Sequence, residues 1–199
     1  MIKNQLKMGF LYYVSLSLML FATMVVMLVR MPLFAAMDFQ GWLYFLPAAL
    51  SQSTIFALLP FVLSVPFLFI ARGRFYSKAM ISLPTILLLF FIADAMIYSL
   101  YRFHINGFVI DMLFGGAAGD IFQFDFMLYL KVGAALLLLV ALMSLVWFLC
   151  RFIFRKKGYV AALPISMAFV VVLLFAHLFH AYAAVAKIPT VIRSAAVIP

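Results

Sequence analysis

The sequence contains no glutamate, one cysteine and little charge of either sign. Charged residues make up 10% of the 199 positions, against about a quarter in soluble domains. Each scarcity removes a class of chemistry. Without glutamate there is no H-E-x-x-H metal helix, and paired carboxylates for acid/base work would have to come from five scattered aspartates. With Cys150 alone there is no intramolecular disulfide and no C-x-x-C pair; its place at a helix end reads as a small apolar filler. No glycine-rich phosphate loop, internal repeat or low-complexity tract occurs. Alternating ten-residue segments, the mark of a membrane barrel, are also missing from runs such as "GAALLLLVALMSLVWFL".

What is present is apolar: 70% of the residues are hydrophobic, with a mean hydropathy of +1.28. No soluble core absorbs that excess. Several uninterrupted runs reach the ~20 helical residues needed to cross ~30 Å of hydrocarbon. The expected fold is therefore an all-α membrane protein with five transmembrane helices, at about 8–30, 51–71, 79–101, 127–150 and 159–183. Short interfacial helices are expected on the outer side. The transmembrane domain is expected to cover 1–186, with 187–199 as a linker outside the membrane. The first run has the basic flank of a secretory signal in Lys3 and Lys7. Its length exceeds an h-region of about 7–15 residues, so it reads as a retained signal-anchor.

Charge sets the orientation. The segments on the N-terminal side hold nine basic residues and no acid, whereas the opposite side holds five basic residues and all five aspartates. Excess lysine and arginine marks cytoplasmic loops, which predicts the N-terminus inside and the C-terminus outside. The net charge of +9 reflects topology and attraction to anionic lipid. Nucleic acid is not an expected partner, because the basic loops are short and lack stacking aromatics.

Two outer segments need separate treatment. Trp42 to Ala71 would be ~45 Å long as a single helix and contains Pro47, Pro60 and Pro66. The expectation is an interfacial helix up to about Leu50 with Trp42 and Tyr44 at headgroup level, a turn at "SQST", and then the span. In 102–126, Phe108, Val109, Met112 and Leu113 recur at helical spacing and predict a short helix on the membrane, broken by "GGAAGD" at Gly115–Asp120.

Three polar features are candidates for function. Asp94 lies inside the third span, where an unpaired carboxylate costs at least ~2.5 kcal/mol. It needs a proton or a partner, with Tyr98 and Ser99 nearby and a basic group from another helix as the stronger choice. It reads either as a polar tie between helices or as a lipid contact. His177 and His180 share a helical face. They read as hydrogen-bonded histidines at a wet helix end, or as a metal pair with His104 as a third nitrogen. Finally, "YRFHINGFVID" places Arg102, His104 and Asn106 where the third span leaves the bilayer. Arginine there can snorkel and fork onto a lipid phosphate. The alternative is a plain helix end capped by Gly107.

The stretch "YRFHINGFVIDMLF", preceded by Asp94 in "IADAMIY", together with the basic "RFIFRKK" loop and the tail "AKIPTVIRSAAVIP", resembles the membrane domain of bacterial inner-membrane proteins of the alkaline-phosphatase superfamily. These are the sulfatase-like relatives of lipoteichoic acid synthase and phosphoethanolamine transferases, of the YejM (PbgA) type; "GGAAGD" departs from that type. The resemblance implies a bacterial inner-membrane location and five helices preceding a periplasmic hydrolase-fold domain. That domain would hold the nucleophile and any divalent metal, leaving no catalytic residue or cofactor in this chain. It also implies lipid-headgroup binding by Arg102, His104, Asn106, Asp94 and Arg193, with phospholipid or lipid A headgroups as ligands. The partners implied are the periplasmic domain of the same protein and an inner-membrane regulatory partner. The expected function is anchoring and headgroup presentation. The alternatives are non-enzymatic regulation through the cytoplasmic loops and an independent transport or assembly role.

Overall fold

The computed structural model describes residues 2–70, 74–114, 126–157, 162–195 and 198. Among these residues five helices are long and apolar enough to cross a membrane: α1 (Ile2–Val29), α2 (Phe39–Ser64), α3 (Arg74–Tyr101), α5 (Phe126–Lys157) and α6 (Ala162–Val185). The chain is a multi-pass membrane protein. Its surface supports this, since Leu137, Leu138 and Leu178 are each more than 70% exposed, an apolar face that water does not tolerate at such extent. α1, α3 and α6 run from the end that holds the N-terminus, here the near end, to the far end. α2 and α5 run back. The far end carries a 3₁₀ turn (Pro32–Ala36), α4 (Gly107–Phe114) and α7 (Pro189–Ala195).

The second span departs from expectation. No turn occurs at "SQST"; α2 is continuous from Phe39 and passes into a 3₁₀ turn at Val65–Leu68. Two of the polar residues that suggested a break, Ser53 and Thr54, are satisfied inside the helix. Ser53 Oγ donates to the Ala49 carbonyl at 2.6 Å and Thr54 Oγ1 to Leu50 at 2.7 Å. Pro47 and Pro60 each remove one backbone bond, a loss that neighbouring helices offset in membranes. The surplus length is covered by protein: α2 packs against α1, α3, α6 and α7. Tyr44 accordingly lies buried against Phe179 and His180 of α6.

Lipid offers no hydrophobic drive for helices to associate, so packing rests on close fit. α1 presents Tyr12, Leu16, Leu20 and Met24, all nearly fully buried at four-residue spacing. α2 answers with Ala49, Ser53 and Ala57, small residues at the same spacing, and Ser53 Oγ reaches Met24 Sδ at 3.6 Å. Nearer the other end, Trp147 of α5 meets Tyr12 and Tyr76 edge-on at 5.3 and 6.1 Å. There Gly9 is required, because a Cβ would collide with the Tyr76 hydroxyl. α6 is the peripheral helix. Its buried residues among those described are Ala176 and Ala183, set against Tyr44, Ala48 and Val191.

Candidate lipid-headgroup site

The far end is organised around one carboxylate. Asp94 is 3% exposed, two turns below the end of α3. Its Oδ1 accepts the Ile105 backbone N–H at 2.6 Å, and its Oδ2 pairs with His104 Nδ1 at 2.7 Å. Among the described residues no partner comes from another helix; the chain after α3 folds back and supplies both donors. Tyr98 stacks on the His104 ring at 4.4 Å, while Ser99 Oγ bonds the Met96 carbonyl instead. Satisfying a carboxylate locally avoids the cost of carrying the charge across an apolar helix interface.

This grip fixes how α3 ends. Arg102, not Gly107, is the residue that turns the chain, in the left-handed region at φ 63°, with its N–H donating to the Tyr98 carbonyl at 2.9 Å. A side-chain-bearing residue rarely holds that conformation unless its surroundings over-determine it, as the Asp94–Ile105 bond does here. Gly107 instead opens α4, and Asn106 caps that helix, its Oδ1 accepting the Val109 N–H at 3.2 Å. The short helix is thus Gly107–Phe114, and Arg102 precedes it. The "GGAAGD" segment lies outside the described residues.

Arg30 sits one residue beyond α1, as Arg102 does beyond α3. The two arginines line one groove of about 220 Å³, walled by Val26 and Met27 of α1 and Ile92 and Met96 of α3, with Thr23 and Ser99 hydroxyls at its sides. Both arginines are exposed. The C-terminal ends of the two helices favour cations. Among the described residues no arginine or lysine is ion-paired with a carboxylate; the one pair is His104–Asp94. Asp38 is likewise used on backbone and hydroxyl: Oδ1 accepts the Gly41 N–H at 2.7 Å, capping α2, and Oδ2 accepts from Thr190 of α7 at 3.1 Å.

Of the residues anticipated as lipid ligands, the fold brings Asp94 of α3 together with His104, and Asn106 follows in the same loop after Arg102. Arg193 lies apart, in the last turn of α7. Arg30 was overlooked, because only its pairing with α3 distinguishes it from any boundary arginine. His177 and His180 line a separate cavity with Tyr44, Ser51 and Gln52. His177 Nδ1 bonds the Leu173 carbonyl at 2.9 Å, and His104 is engaged with Asp94 rather than with them. No group of three or more metal-binding side chains occurs among the described residues.

No curated protein and no solved structure matches the chain. Residues 10–199 match the family described as DUF3413, a domain of unknown function. Covering nearly the whole sequence, that match places this five-span membrane chain in the DUF3413 family.

Proposed function

We propose that this chain is the membrane anchor and lipid-headgroup-presenting domain of a sulfatase/phosphatase-like bacterial inner-membrane protein that acts on or senses phospholipid or lipopolysaccharide. The observation that carries the reading is the pair Arg30 and Arg102 facing one apolar groove at a helix boundary, neither of them paired with a carboxylate among the described residues. A phosphate between two guanidinium groups receives forked, charge-assisted hydrogen bonds, and an acyl chain finds Val26, Ile92 and Met96 below. Asp94 and His104 serve as positioning residues that hold Arg102 at the mouth. In this reading the far end faces the periplasm, as the charge distribution favours. Any hydrolase or transferase chemistry, with its divalent metal, belongs to a further domain.

Native mass spectrometry of the purified protein tests the reading. Arg30→Ala with Arg102→Ala should lose retained anionic lipid by at least about tenfold, whereas Arg193→Ala should lose far less. Equal occupancy in all three proteins would remove the residue-level support for presentation. A periplasm-only reporter fused after Pro199 should be active; a silent one would reverse the orientation.

A further inference from the structure

At the near end, the start of α1, the start of α3 and the end of α5 enclose a cleft of about 380 Å³. Arg151 and Arg155, one helical turn apart on α5, line it from one side. Asn4, Gln5 and Ser77 line it from the others. Two further features separate this cleft from a merely basic surface. The Gln5 Oε1 atom is buried and has no hydrogen-bond partner among the described residues, a state that costs ~1–3 kcal/mol unless a donor arrives. In addition, the same two arginines line a second furrow with Phe148 and Phe152, whose rings are 62% and 57% exposed on the lipid-facing side of α5. The two arginines therefore line both a cleft in which Asn4, Gln5 and Ser77 stand beside Met8 and Phe154 and a furrow walled by exposed aromatic rings.

We propose that this cleft binds an anionic glycerophospholipid whose headgroup carries a hydroxyl. The phosphodiester sits on Arg151 and Arg155, the headgroup hydroxyl donates to Gln5 Oε1, and an acyl chain follows Phe148 and Phe152. Asn4 and Ser77 add polar contacts to the headgroup. The charge requires an anion, the orphaned acceptor requires a donor on it, and the aromatic furrow requires a hydrocarbon tail. A soluble phosphate ester meets the first two requirements but not the third.

The full chain in neutral detergent, offered equal amounts of phosphatidylglycerol, phosphatidylmethanol and phosphatidylcholine, provides the test by native mass spectrometry. Phosphatidylglycerol should be retained over phosphatidylcholine by about tenfold or more. It should also exceed phosphatidylmethanol, which has the same charge and no hydroxyl, by about fivefold. Arg151→Gln with Arg155→Gln should abolish the first preference. Lys3→Gln with Lys156→Gln, which removes equal charge outside the cleft, should leave it intact. Gln5→Ala should erase only the second. Equal losses in the two double variants would overturn the site in favour of diffuse attraction. Displacement of the lipid by an equal concentration of glycerol 1-phosphate would overturn its assignment to a lipid.

Discussion

The two ends of this bundle manage charge in opposite ways. At the far end, Asp94 and Asp38 are consumed by the chain itself, on Ile105, His104, Gly41 and Thr190, and their effect is to fix backbone. At the near end there is no carboxylate at all, and order comes from apolar packing around Gly9, Tyr12, Tyr76 and Trp147. The consequence for arginine is the same at both ends. Arg30 and Arg102 find Asp38 and Asp94 already engaged, Arg151 and Arg155 have no acid on their side, and in the proposed reading each pair receives an anion from outside. A membrane chain can thus keep cations available either by occupying its acids or by omitting them.

Removing the far-end carboxylate should break this contrast most severely. Asp94→Leu removes the buried acceptor of the Ile105 N–H and the carboxylate paired with His104 Nδ1 and should cost about 2–4 kcal/mol, read as a lower melting temperature in detergent. Asp94→Asn keeps an acceptor and should fold nearly normally. Equal stability of Asp94→Leu and the parent would mean that the loop is held by something else.

The corresponding lesion at the near end is steric. Gly9→Val should destabilise by about 1–3 kcal/mol through overpacking against Tyr76. Tyr76→Phe alone should be close to neutral, because its hydroxyl has no partner among the described residues. Combining it with Gly9→Ala should restore stability lost in the single Gly9→Ala variant. Failure of that rescue in thermal melts would shift the cause away from the hydroxyl.

A milder change separates positioning from binding. Arg102→Gly removes the left-handed strain, worth about 1–2 kcal/mol, so the melting temperature should hold or rise while lipid retention falls. A fall in both would show that the guanidinium also stabilises the fold. Smaller still, Asp38→Ala removes the α2 cap and should cost about 1 kcal/mol, without changing lipid retention in the Arg30–Arg102 groove.

Legibility differed by residue. Asp94 stood out because a lone acid in an apolar run demands a partner, and Arg102 because polar residues crowd its boundary. Asp94's partner was not legible, since donors on the same chain ten and eleven residues away compete with any on other helices, and only the backbone path decides between them. The "SQST" segment was misread as a turn because its hydroxyls have two outlets, water or their own helix carbonyls, and the sequence does not record which.

The sequence by itself determined five apolar helices and the sorting of charge between their ends, because transfer into hydrocarbon is a local quantity summed along each run. The tertiary structure alone decided that α2 continues unbroken, that Arg30 and Arg102 line one groove, and that Arg151 and Arg155 share a cleft with Gln5. In lipid a helix is apolar on the face that meets protein and on the face that meets hydrocarbon, so periodicity carries little record of which helices touch. Contact is settled by shape, by small residues admitting large ones, and that is a property of the assembled bundle.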